Sequence, residues 1–365
     1  MNGLRVFKFG GSSLATPEKV CAVAKEISKL YQSGQKLIVV TSAMGKTTDQ
    51  LRELAYKVSP QPNRREFDML LTTGERISMA LMAMALHDLK CPSISFTGSQ
   101  AGIMTDGAFT NARIKELKPM RIEEALRENK VVVLAGFQGV DPITKEITTL
   151  GRGGSDTTAV AMAAHFGADR CEILKDVDGV FATDPRIIPS ARLHKKLSIH
   201  ALVEFCFWGA KVLNYRSAEL ARDHHVPLFV GRSDDFSLGT EITYSDDGYK
   251  DGEFLGVNSH VEVLEIGVAC TDSQEGANAI TNILTENNLP ELQVLSFSYE
   301  AGTYRVLLTA DADLLGDFRE HVRYSSKVHV LREHISTVTA SYAKRPCQIQ
   351  VVPADQREAT IRKFF

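Results

Sequence analysis

Apolar and polar positions over the first two thirds of the chain follow two alternating periods. Short runs rich in Val, Ile, Leu and Phe recur with little polar alternation: "LRVFKF" (4–9), "KLIVV" (36–40), "KVVVLA" (130–135), "CEIL" (171–174) and "VPLFV" (226–230). Runs of this kind predict strands buried on both faces of a sheet. Between them, "TPEKVCAVAKEISKLYQSG", "TDQLRELAYKV", "REFDMLLTTGERISMALMAMALHDL", "RIEEALREN" and "RSAELARDHH" space apolar residues three and four apart, which predicts helices. Gly74 is expected to interrupt the third of these, and "PSISFTG" (92–98) reads as a further strand. The pattern implies an α/β fold, a largely parallel sheet covered by helices on both faces. In such sheets ligands sit off the carboxyl ends of the strands.

The texture changes after residue 240. "GTEITYSDDGYKDGEF" is polar and rich in Gly and Asp, so a linker is expected over 241–256 between one domain at 1–240 and another at 257–365. Beyond it, "HVEVLEIGVAC" reads as strand, "SQEGANAITNILTENN" as helix, and "LQVLSFSYEAGTYRVLL" as a hairpin turning at Ala301-Gly302. A helix in "ADLLGDFREHV" (312–322) and a strand in "KVHVLREHISTVTAS" complete the order βαββαβ, a small α+β module with an antiparallel sheet. The final "CQIQVVPADQREATIRKFF" adds one strand and one helix, short of a second such unit.

Composition narrows the class. A chain of 365 residues with 44% hydrophobic and 24% charged residues is an ordinary globular protein of about two domains. A net charge of −3 gives no footprint for nucleic acid or an anionic membrane. No apolar run approaches the ~20 residues that span a bilayer, and "MNGLRVFKFGG" reaches glycine too soon to read as a signal peptide. Six cysteines are scattered singly without C-x-x-C, which suggests reduced thiols and a cytoplasmic setting. No histidine spacing suggests a metal site.

Chemistry is concentrated in three small-residue loops: "FKFGGSS", "TSAMGKTT" and "LGRGGSDTT". "VVTSAMGKTTD" has Val40 where a P-loop needs its first glycine, and "GRGGSD" has Asp156 at the last glycine of a dinucleotide fingerprint. Protein-kinase signatures are absent. Each loop still allows backbone N–H groups to approach an anion. Ser155 is expected to cap the helix "DTTAVAMAAHF" and Gly167 to stop it. Lys8, at the end of a buried strand, needs a negative partner or a cleft. A transferring phosphoryl group would serve, and snorkelling to solvent is the bland alternative.

The ordered set "VFKFGGSS", "VVTSAMGKTTDQL", "LLTTGERIS", "GRGGSDTTAVAMAA", "DVDGVFATDPR" and "FWGAKVL", over residues 4–240, resembles the aspartate kinases of the amino-acid kinase family. The C-terminal module resembles the ACT domains that carry regulation there. The resemblance implies ATP-dependent phosphorylation of the side-chain carboxylate of L-aspartate, opening lysine, threonine and methionine biosynthesis. It implies that Lys8 and Lys211 neutralise the transferring phosphoryl group, that Asp156 holds the lysines, and that Gly10, Gly11, Gly153 and Gly154 cradle phosphates next to Phe9. Ser42, Thr48, Glu75, Arg152 and Ser155 would bind substrate, with Arg152 on the α-carboxylate and Glu75 on the ammonium. Lys175, Asp176, Phe181 and Arg186 would enclose the nucleotide, with magnesium carried by ATP rather than by protein ligands.

Each residue has a plainer reading: Glu75 as a first-turn helix acid, Arg152 as a partner of Asp156, Lys211 as a surface lysine. Two departures stand out, Lys175 where the family usually has threonine and Asn214-Tyr215 after Lys211. The ACT-like module implies a homodimer and an effector amino acid, lysine or threonine. The competing functions are a non-catalytic amino-acid sensor and a kinase of another carboxylate.

Overall fold

The computed structural model describes residues 3–286, 292–310, 315–316, 318–319, 322, 325 and 328–365. It divides into two compact units: Met1–Val180, Leu193–Val203 and Lys211–Ser245 form the first, and Phe181–Arg192, Glu204–Ala210 and Asp246–Phe365 the second. The stretch expected as linker, 241–256, holds the end of one strand and the start of another.

In chain order the first unit runs β1 (Leu4–Phe9), α1 (Pro17–Gln32), β2 (Lys36–Thr41), α2 (Thr47–Val58), α3 (Arg64–Asp88), β3 (Ser93–Phe96), β4 (Ile103–Thr105), β5 (Ile114–Leu117), α4 (Met120–Arg127), β6 (Val131–Ala135), β7 (Gln138–Val140) and β8 (Ile147–Thr149). It continues with α5 (Gly154–Phe166), β9 (Arg170–Lys175), β10 (Lys196–Ser198), α6 (Ile199–Phe207, its last residues in the second unit), α7 (Tyr215–Asp223), β11 (Leu228–Arg232) and β12 (Gly239–Thr243). The main sheet has the order β10-β12-β11-β9-β1-β2-β6-β3, parallel at every pairing except β11 with β12. The five apolar runs are its five central strands. A second sheet, β5-β4-β7-β8, goes unannounced by the periodicity because its strands are only three or four residues long.

Phe7, Phe9, Leu37, Val39 and Val133 of the sheet pack with Val23 and Ile27 of α1 and Met82 and Leu86 of α3. Helix α3 runs unbroken through Gly74, where a glycine is needed because a Cβ would stand 2.9 Å from the Ala43 Cβ. Its 25 residues include an 18-residue window of mean hydropathy 1.2, enough by length and composition to cross a membrane. Half of that window is buried inside the protein, and the helix also buries Asp68 and Glu75, so it packs as a core helix. Asp68 accepts hydrogen bonds from the Thr110 and Thr149 amides and the Thr149 hydroxyl, tying α3 to the small sheet.

The second unit holds β13 (Phe254–Ala269), α8 (Ser273–Glu286), β14 (Gln293–Glu300), β15 (Thr303–Thr309), β16 (Val328–Tyr342), β17 (Arg345–Pro353) and α9 (Arg357–Arg362). Its antiparallel sheet has the order β14-β15-β13-β16-β17, and the hairpin turns at Ala301-Gly302 as expected. The helix expected over 312–322 falls largely outside the described residues. Register shifts between His260 and Ile266 divide the long β13–β16 pair into two parts. One part packs Ile266, Tyr304, Val306 and Ile280; the other packs Val257 and Val338 with Ile187, Ile188 and Ile361.

Candidate functional site

The carboxyl ends of β1, β2, β6 and β9 lie side by side in the sheet; the first two glycine-rich loops leave β1 and β2 there, and the third follows β8 of the small sheet and leads into α5. The loop after β1 is fixed on both sides: the Gly10 amide donates to Leu174 O at 3.0 Å, and the Gly45 amide donates to Gly11 O at 2.9 Å. A Cβ on Gly11 would lie 2.8 Å from Ala43 O, so only glycine permits that approach. Ser42, half-buried, donates its amide to Phe9 O at 3.2 Å, and Thr48 lies in the first turn of α2.

Helix α5 starts one residue pair earlier than Ser155 would set it. Its N-cap is Gly153, in the left-handed region at φ 66°, with no side-chain cap. Ser155 is inside the helix, packed where a Cβ on Gly136 would stand 2.7 Å away. The Gly154 amide donates to Gly151 O at 3.0 Å, and no capping side chain takes the amides that follow it, a setting that favours an anion. The helix is apolar on all sides and stops at Gly167, also left-handed, at φ 57°.

Asp156, 3% exposed, occupies the first turn of α5. Lys8 Nζ lies 2.6 Å from its Oδ1, and Lys175 Nζ lies 3.8 Å from its Oδ2. The Asn214 amide donates to Oδ2 at 3.4 Å, while the Asn214 side chain donates to Arg152 O at 2.8 Å. Burial opposes the charge on Asp156, but the two ammoniums beside it hold its carboxyl below the usual range. Lys8 and Lys175 share a sheet face, since Lys8 pairs in register with Ile173 and alternate residues of a strand point the same way.

Glu75 faces the same edge from α3. Its Oε1 accepts the Ala43 amide at 3.2 Å, and its buried Oε2 has no hydrogen-bond partner. Burial pushes its carboxyl up to about 7, against the Ala43 amide and the Lys8 charge. It sits in the middle of α3, which removes the reading as a first-turn acid.

The side chains of several expected site residues take no part in these contacts. Lys211 is exposed, and the second lysine on Asp156 is Lys175 instead. Arg152 and Asp176 are exposed, and Asp156's ion-pair partners are Lys8 and Lys175 rather than Arg152. Phe181 and Arg186 belong to the second unit, where Arg186 pairs with Asp184 at 2.7 Å. One residue at the edge carries little sequence mark: Phe137, after β6, has φ 71°, a strained conformation for an aromatic residue. Its place in "GFQG" after a buried strand is the signal that would find it. Among the described residues no three His, Cys, Asp or Glu side chains gather as metal ligands.

Comparison with known proteins shows the family. The amino acid kinase family model matches residues 3–232. The aspartokinase of Corynebacterium glutamicum is 52% identical over 242 residues, a match spanning 66% of this chain and 58% of that protein. The aspartokinase of Bacillus sp. strain MGA3 is 41% identical over 312 residues, 85% of this chain and 76% of that protein. The fold matches E. coli aspartokinase III, solved with aspartate and ADP, with a TM-score of 0.83 over 98% of both chains at 20% identity. The chain belongs to the amino acid kinase family and, within it, groups with the aspartokinases.

Proposed function

We propose that the chain transfers the γ-phosphoryl group of ATP to the side-chain carboxylate of L-aspartate, giving 4-phospho-L-aspartate and ADP. The observation that carries this reading is the buried Lys8–Asp156 pair at an uncapped helix N-terminus, on the edge where the glycine loops converge. A carboxylate oxygen attacks phosphorus, the bond to the bridging oxygen breaks, and ADP leaves with the electron pair. The attacking carboxylate is already ionised at neutral pH, so no general base is needed. Lys8 neutralises charge, the Gly10-Gly11 and Gly153-Gly154 backbones hold phosphates, and Asp156 fixes Lys8 in place. Glu75, with an unpartnered oxygen, takes the substrate ammonium, Arg152 the α-carboxylate, and Ser42, Thr48 and Ser155 line the acceptor side. Magnesium would be carried by the triphosphate.

The same reading places the enzyme at the first step towards lysine, threonine and methionine in the cytoplasm. An effector amino acid would occupy the cleft of about 370 Å³ between the end of β13 and α8, lined by Asp272, Glu275, Asn278 and Asn282. Homodimers would form through the second unit, whose edge strand β14 exposes Val294, Phe297 and Tyr299.

Protein incubated with ATP, magnesium, aspartate and hydroxylamine should yield aspartyl hydroxamate at a rate well above a Lys8→Ala variant. Equal rates for the two proteins, or preference for another carboxylate by kcat/KM, would defeat the proposal.

A further inference from the structure

We propose that Lys175 is the second phosphate-neutralising cation of this enzyme, working beside Lys8 at the transferring phosphoryl group. This rests on the kinase reading and adds the residue that completes its charge. Lys8 and Lys175 lie on adjacent parallel strands, on one face of the sheet, and each approaches its own oxygen of Asp156, at 2.6 and 3.8 Å. One carboxylate between two ammoniums leaves a net positive charge. Asp156 lies in the first turn of α5, which has no capping side chain, and both features favour an anion.

The stem of Lys175 also borders the first glycine loop: its Cγ is 3.6 Å from where a Gly10 Cβ would be. Strand β9 ends at Lys175, and the Lys175 carbonyl accepts the Ser233 amide at 2.8 Å, so the backbone carrying the side chain is fixed. The Lys175 side chain is 21% exposed and that of Lys8 7%, so both ammoniums are held between protein and an open edge. Lys211, by contrast, is exposed and is not a partner of Asp156. A threonine at position 175 would put no charge there. Lysine converts Asp156 from the partner of one cation into the anchor of two.

The test compares wild type with K175Q, K175R and K211Q in two assays. Hydroxamate formation gives kcat and the KM for aspartate, and calorimetry gives the affinity for a non-hydrolysable ATP analogue with magnesium. K175Q should lower kcat about 100-fold and weaken the analogue roughly tenfold, with the aspartate KM within about twofold, because the lost charge acts on phosphate. K175R keeps the charge and should restore most of the analogue affinity, a rescue that a purely structural lysine would not give. If circular dichroism shows K175Q unfolded, K175T takes its place.

A K175Q protein that keeps kcat and analogue affinity within about twofold overturns the assignment. So does a K211Q variant that alone abolishes both. If wild type binds the analogue but phosphorylates no aspartate, the proposed reaction fails, while the K175Q and K175R affinities still decide Lys175. A wild-type protein that binds no adenine nucleotide overturns both.

Discussion

Glu75 and Lys8 take their chemistry from their surroundings. Two cations share β1, but side chains alternate along a strand, so Arg5 and Lys8 leave opposite faces. Arg5 pairs with the buried Glu172 of β9, and Lys8 pairs with Asp156 of α5. Glu75 has no such cation at hydrogen-bond distance, and burial raises its carboxyl from 4.5 to about 7. Because the folded value is the higher one, the folded state binds the extra proton between pH 4.5 and 7. Stability therefore falls as pH rises through that window and levels off above it. Glu75→Gln should remove this slope, seen as urea midpoints that no longer drop between pH 5 and 7. In the proposed reaction only the ionised form grips the substrate ammonium. The kcat/KM for aspartate should accordingly decline about tenfold per pH unit below pH 7, and a flat wild-type profile would contradict that role.

At the scale of elements, the chemistry depends on how a helix starts. Gly153 caps α5 in a left-handed conformation, and a Cβ there would lie 2.2 Å from the Asn214 Cβ. Gly153→Ala should cost about 1–2 kcal/mol from backbone strain alone, lowering Tm by roughly 2–8 °C in calorimetry. It should also weaken nucleotide binding by displacing Asn214, which braces both Asp156 and the Arg152 carbonyl. An unchanged Tm would mean that the Gly153 turn relaxes without strain. The motif "GRGGSD" advertises this helix start, yet not its cap. Ser155 is a good capping residue by type, but its backbone is drawn into the helix because Gly136 leaves room for it. The strands of the main sheet were legible from their apolar runs. The small sheet was not, because three-residue strands carry no period.

At the scale of the whole molecule, the proposed nucleotide site can be tested unit by unit. An ATP analogue at about 100 times its Kd adds about 2.7 kcal/mol to the state that binds it. Hydrogen exchange should show that protection at 8–13, 42–46 and 151–158 and leave β14 to β17 unchanged. Protection centred on β14 to β17 would move the nucleotide to the second unit. Light scattering at micromolar concentration should report a dimer, and a monomer would remove the pairing role proposed for β14. Sequence alone determined the alternation of buried strands and helices, the hairpin at Ala301-Gly302 and the family, since these follow from local period, turn chemistry and ordered motifs. Only the tertiary structure decided that Lys175 rather than Lys211 joins Lys8 at Asp156, and that Phe181 and Arg186 fall in the second unit. Those outcomes depend on which strands become neighbours and which sheet face a side chain takes, and residues far apart in the chain set both.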